Sequence, residues 1–160
     1  MDKNDFPEIL ERLTRRYVAK VGGRLTASSM SLLDGDRMTL LAYWVFRREM
    51  LEGGMVQLIH NGYGAFIFDN PFAKAMRLWG LKDFSKFLYG ARELYVRYGE
   101  ALRADCTEEE FMALYERYEV LDDFDDEFVE CEPRWTSAIA AYVSGHEESF
   151  NMDGDGGQDD

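Results

Sequence analysis

Cysteine, histidine and proline are scarce in this sequence, and it has no long apolar run. The two cysteines, Cys106 and Cys131, are too few for a disulfide framework and lack Cys-x-x-Cys spacing. The two histidines, His60 and His146, are not at metal-ligand spacing, and no phosphate-binding loop or nucleophile motif is present. The longest apolar run, 40–46, is much shorter than the roughly 20 residues of a membrane span. We therefore expect a cytoplasmic protein without metal or cofactor, which binds rather than catalyses.

Basic residues are nearly missing from the second part of the chain. Residues 1–99 contain 15 lysines and arginines against 11 aspartates and glutamates, whereas residues 100–160 contain 3 against 20. The net charge of -13 is therefore concentrated after residue 100. Because a region of one sign attracts partners of the opposite sign, we expect a basic protein as partner and no direct binding of nucleic acid.

The apolar residues recur at helical spacing, which predicts an all-α fold. We predict a single compact domain of about seven or eight helices over residues 1–150, followed by a disordered acidic tail over 151–160. Residues 36–52 are apolar on nearly all faces and predict a long central helix, and the longest helix is predicted over 83–103. The pattern does not assign residues 24–35 beyond a loop.

Local signals predict several helix ends. Thr107 with Glu110 has the spacing of a capping box. The run 65–68 fits either a short strand or a plug in the core, and we favour the plug. A short acidic helix is predicted over 123–130, and Pro133 is predicted to start the last helix, which ends near Phe150.

The strongest local feature is a run of carboxylates without an intervening lysine or arginine. Carboxylates four residues apart on a helix are separated by a rise of about 6 Å, close to the roughly 6.8 Å of two base steps on one DNA strand. The run is interpreted as a docking surface for a basic partner, or as a solvated helix face, which is the usual meaning of a charge run. The eight residues are Glu119, Asp122, Asp123, Asp125, Asp126, Glu127, Glu130 and Glu132.

Two other charge patterns have simpler interpretations. Asp123, Asp125 and Glu127 alternate like the start of a calcium-binding loop, but Phe128 occupies the place of the required glycine. A basic stripe on the first predicted helix is most simply a solvated face. It could also pair with the acidic region within the molecule or between molecules, which leaves a homodimer open. The stripe consists of Arg12, Arg15, Arg16 and Lys20.

A Gly-Gly, Gln and Asn-Gly pattern lies between residues 52 and 64, and Asn70-Pro71-Phe72 follows it. This pattern resembles the signature of an acidic, all-helical bacterial family that includes DNA-mimic proteins, and the similarity extends over about residues 40–145. Met55 departs from the family, because an aromatic residue is usual there. Its signature residues, which we interpret as turn and packing positions, are Gly53, Gly54, Gln57, Asn61, Gly62 and Gly64.

The resemblance implies a compact helical fold and a DNA mimic, whose carboxylates take the place of phosphates on a transcription regulator's DNA-binding face. Our leading hypothesis is a DNA mimic that occupies the DNA-binding face of a basic transcription regulator or of another DNA-binding protein. Two alternatives stay open at this point. One is an immunity-type inhibitor of a basic nuclease toxin, and the other is an enzyme with a pocket near residues 57–63, involving Gln57, His60 and Asn61.

Overall fold

The computed structural model describes residues 6–23, 29 and 32–152, and in this part of the chain all regular structure is helical. The predicted all-α class is confirmed, with nine α-helices among the described residues. They are α1 (Glu8–Lys20), α2 (Gly35–Glu52), α3 (Gly54–His60), α4 (Gly64–Phe68), α5 (Phe72–Leu78), α6 (Lys82–Arg103), α7 (Glu108–Arg117), α8 (Asp122–Ser144) and α9 (Glu147–Phe150), with a 3₁₀ turn (Glu119–Leu121) before α8. The loop predicted over 24–35 and the tail predicted over 151–160 fall largely outside the described residues.

The predicted break at Pro133 is wrong, because α8 continues through this proline from Asp122 to Ser144. A proline inside a helix removes one backbone hydrogen bond and costs about 3 kcal/mol. Burial on both sides of the proline offsets this cost, since Phe128, Trp135 and Ile139 are all at most 2% exposed. These residues keep one helical phase across Pro133, so a continuous helix buries all of them on one side.

The chain divides into two compact units, and the boundaries fall inside α2 and α8. One unit contains residues 1–44 and 134–160. In its described part, the Tyr17 hydroxyl donates to the Phe150 carbonyl at 2.6 Å, and Tyr43 shares a hydrogen bond with Thr136 at 2.6 Å. These contacts connect buried tyrosines of α1 and α2 to α9 and α8, respectively.

The second unit, Val45–Pro133, contains α3 to α7 and the acidic first half of α8. Its core is an aromatic cluster around Phe46, whose ring lies 5.2 to 6.3 Å from those of Phe72, Phe84, Phe87 and Phe128. Residues 65–68 form the one-turn helix α4 rather than a strand, and its Phe66, Ile67 and Phe68 are buried, as a plug in the core requires.

The predicted capping box is confirmed at the start of α7. The Glu110 N–H donates to the Thr107 hydroxyl at 3.1 Å, and the Thr107 N–H donates to the Glu110 carboxylate at 2.8 Å. Among the described residues, no helix is long and apolar enough to span a membrane.

Candidate functional site

The acidic run forms a solvent-facing surface on the first half of α8 and the 3₁₀ turn before it. Asp122, Asp126 and Glu130 follow one another at i, i+4 spacing and form one row along the helix. Asp123 and Glu127 form a second row next to it, about 100° round the helix. Together with Glu119, these residues make six exposed carboxylates, which we call the acidic face: Glu119, Asp122, Asp123, Asp126, Glu127 and Glu130.

In the described part of the chain, no lysine or arginine lies within ion-pair distance of the acidic face. Within the described residues, none of its six carboxylates forms an ion pair. From Asp122 to Glu130 the helix rises about 12 Å, a distance over which one DNA strand carries three or four phosphates at about 3.4 Å each. Five carboxylates over this distance give the helix at least the linear charge density of a single DNA strand.

Asp125 lies in the same run but points into the molecule. Its carboxylate accepts a hydrogen bond from the Met55 N–H at 2.9 Å, at the start of α3. Burial raises the pKa of Asp125 to about 6, the Met55 hydrogen bond opposes this rise, and the nearby Asp122 and Asp126 charges add to it. Asp125 is therefore part of the fold's internal contacts and is not presented on the acidic face.

Glu132, the last carboxylate of the run, is also internal. It is 4% exposed, and its carboxylate accepts from the Arg47 guanidinium at 2.8 Å. Arg47 is itself 9% exposed, so the pair is shielded from water. Removing one partner of such a pair takes the opposite charge away from a buried ion and is strongly destabilising, which makes Glu132 a residue of the fold.

The signature amides bind a buried carboxylate that the sequence did not single out. Glu49 is 4% exposed, and its Oε1 accepts from the Gln57 amide at 3.1 Å and from the Asn61 amide at 2.8 Å. Gln57 also donates to Glu52 at 2.9 Å. A buried carboxylate needs such donors to offset its desolvation. Gln57 and Asn61 therefore hold α2 against α3.

The signature glycines stand where a side chain would collide with a neighbour or where the backbone has a positive φ. Gly54 has a φ of +75°, and a Cβ there would lie 2.3 Å from Asp125 Oδ2. A Cβ on Gly64 would lie 2.2 Å from the Tyr95 ring. Between them Gly62 has a φ of +89°, with open space around it. These glycines allow close approach or left-handed backbone, so each of the three has a structural reason.

Tyr115 of α7 completes the polar contacts around the Gly53–Gly54 turn. Its hydroxyl donates to the Gly53 carbonyl at 2.9 Å. Burial raises the pKa of this hydroxyl, and the charges of Asp125 and then Glu49 add to the rise. The turn is therefore contacted by α7 through Tyr115 and by α8 through Asp125.

Two of the cavities in the unit 45–133 lie away from the signature amides. The larger, of about 570 Å³, lies between the end of α6 and α7 and includes Cys106 and Arg117 in its lining. The other, of about 360 Å³, includes Phe68 and Arg92. His60 lines neither of them, and its ring Nδ1 donates a hydrogen bond to the Leu102 carbonyl at 2.9 Å. In the described part of the chain, no three acidic, histidine or cysteine side chains could together hold a metal ion.

Three residues that make these contacts were not predicted from the sequence: Glu49, Arg47 and Tyr115. A signal was available for the first two, because they are charged residues directly after the apolar run 40–46. Tyr115 had no such signal, because a half-buried tyrosine on an amphipathic helix is ordinary.

The sequence of this chain is similar to those of known proteins. The DMP19-like protein family matches residues 31–146, a segment that contains α2 to α8 and therefore both the signature turn and the acidic face. The chain is also 32% identical over 124 residues to a protein of Neisseria meningitidis serogroup B named DNA mimic protein DMP19. That similarity covers 76% of this chain and 74% of the relative. On both grounds, the chain belongs to the DMP19-like protein family.

Proposed function

We propose that this protein is a DNA mimic, which binds the DNA-binding surface of a basic protein through the acidic face. The observation that carries the proposal is the array of six exposed carboxylates on the 3₁₀ turn and α8, without an ion pair among the described residues. A surface evolved only for stability would not keep like charges at i, i+4 spacing, because they repel one another. The name of the Neisseria relative supports the same function.

The partner class follows from the chemistry of the surface. Aspartate and glutamate accept hydrogen bonds and attract arginine and lysine in the way phosphate oxygens do. A DNA-binding regulator presents such cations in a row that matches a DNA strand. The predicted partner is therefore a basic regulator, and its binding weakens as salt screens the charges.

The experiment compares capture of proteins from the source organism's lysate at low salt on the wild type and on a variant with four neutral amides. The variant carries Asp122→Asn, Asp126→Asn, Glu127→Gln and Glu130→Gln. A matched control changes four exposed carboxylates elsewhere and has the same net charge: Glu8→Gln, Glu93→Gln, Glu147→Gln and Glu148→Gln. Bound protein is then eluted with duplex DNA.

The expected result is a basic DNA-binding protein that the wild type and the control retain, that the variant loses, and that duplex DNA displaces. Equal loss on both variants would show that net charge alone acts, and would contradict a specific face. Retention by the variant would also contradict it. If the retained protein is a nuclease, the same face serves as a nuclease inhibitor instead.

A further inference from the structure

We propose that Asp125 is a positioning residue, which fixes the first turns of α8 to the Gly53–Gly54 turn and so presents the neighbouring carboxylates of the acidic face as a rigid array. The inference rests on the proposed function and assigns Asp125 a role different from that of its neighbours in the acidic run. It also connects the family signature to the acidic face through a single contact.

The geometry separates Asp125 from its neighbours. Asp122 and Asp126 are exposed, whereas Asp125 is partly buried and accepts the Met55 N–H at 2.9 Å. Gly54 is the residue before Met55, and only the absence of its side chain leaves room for the Asp125 carboxylate, since a Cβ would lie 2.3 Å from Oδ2. The signature glycine and the carboxylate therefore fit each other.

The start of α8 also packs on the core through two aromatic rings. The ring of Phe124 lies 5.5 Å from that of Phe87, and the ring of Phe128 lies 5.2 Å from that of Phe46. These rings anchor the helix to the core. A hydrogen bond to a backbone N–H is directional, so it also fixes which way Asp122 and Asp126 face.

The charged surroundings make this contact costly, which argues for a role. The groups that face the Asp125 carboxylate are Asp122 and Asp126 of its own helix, together with the Tyr115 hydroxyl of α7. The neighbouring carboxylates and burial both disfavour its ionised form, whereas the hydrogen bond from the Met55 N–H favours it. A neutral residue at 125 would avoid the repulsion but would give up the charge-assisted bond.

The test uses two pairs of variants with equal charge. Asp125→Ala and Asp125→Asn both remove one negative charge, but only asparagine keeps an oxygen that can accept the Met55 N–H. Asp126→Ala and Asp126→Asn form the control pair at an exposed carboxylate. Two quantities are measured on each variant and on the wild type: amide hydrogen exchange over residues 123–128, and affinity for an octalysine peptide at low salt.

Asp125→Ala is expected to raise exchange over 123–128 by about tenfold, the effect of losing one charge-assisted hydrogen bond, and Asp125→Asn to restore it. The octalysine affinity follows the same order, with the alanine variant several-fold weaker than the asparagine variant. At position 126 both variants lose the same affinity, and neither raises exchange. If alanine and asparagine behave alike at 125 in both measurements, the positioning role is refuted.

A second variant keeps the test decisive if Asp125→Ala does not fold. Gly54→Ala retains every charge of the chain and displaces the carboxylate from the other side, so it is expected to raise exchange over the same residues. Unchanged exchange in Gly54→Ala would overturn the proposal. If wild type does not bind octalysine, the proposed function fails, while the exchange data still decide the positioning role.

Discussion

The acidic face should cost the folded protein stability, and this cost can be measured. The variant Asp126→Asn, Glu127→Gln, Glu130→Gln removes five like-charge pairs on α8, three at i, i+4 and two at i, i+3 spacing. Each such pair destabilises a helix by about 0.2–0.5 kcal/mol, so the variant should gain about 1–2.5 kcal/mol at low salt. The exchanged residues have similar helix propensities, which adds little to the difference. We therefore expect a variant that is more stable than the wild type and binds its partner less well.

Urea unfolding at low salt and at about 1 M salt measures this difference. At about 1 M salt the Debye length falls to about 3 Å, so the advantage of the variant should largely disappear. In thermal unfolding the gain corresponds to a few degrees, at about 2–4 °C per kcal/mol for a chain of this size. A variant less stable than the wild type at low salt would contradict this expectation, because the carboxylates would then stabilise the fold.

Three further predictions concern the contacts behind the acidic face. Gly54→Ala should lower the free energy of unfolding by about 1–3 kcal/mol in urea, because φ is +75° and the new Cβ meets Asp125. No loss of stability would contradict the close contact between Gly54 and the Asp125 carboxylate. Glu132→Ala should lower the free energy of unfolding by about 3–5 kcal/mol, since Arg47 is left buried without this carboxylate. The control is the double variant Arg47→Met, Glu132→Leu, which should lower it less because neither charge is left. Asp125 has a folded-state pKa of about 6 against an ordinary 3.8, so the folded protein binds a proton that the unfolded chain does not. Its contribution to stability therefore increases as pH falls from about 7 to about 4, and Asp125→Asn should remove this part of the pH dependence in urea titrations; an unchanged profile would contradict the shift.

Much of the fold was predictable because its helices have clear apolar periodicity. The helix predicted over 83–103 occurs as Lys82–Arg103, and that predicted over 36–52 occurs as Gly35–Glu52. The helix start predicted at Pro133 is wrong, because the proline is only one local signal. The apolar stripe from Phe128 to Trp135 and Ile139 keeps its phase across the proline, and tertiary packing of that stripe outweighs the local cost.

The run of acids could be found in the sequence, but its division into exposed and internal residues could not. With a break assumed at Pro133, Glu132 had no place on a helical wheel. On the continuous helix it falls beside the apolar stripe, where the structure pairs it with Arg47. Asp125 lies at the edge of the same stripe. Its partner is a backbone N–H about 70 residues earlier, which no local pattern indicates.

The signature pattern identified the family correctly, but the signature residues make their contacts with residues outside the pattern. Gln57 and Asn61 point to Glu49, and Gly54 makes room for Asp125. A single sequence shows the glycines and amides but not the carboxylates they serve, because those come from other helices.

The most direct test is amide hydrogen exchange on the complex with a captured basic partner. Binding should slow exchange in the stretch 119–130 of this chain, and it should slow exchange in the same segments of the partner that duplex DNA protects. Protection confined to α1, or to residues 57–63 around the signature amides, would contradict the claim that the acidic face takes the place of DNA.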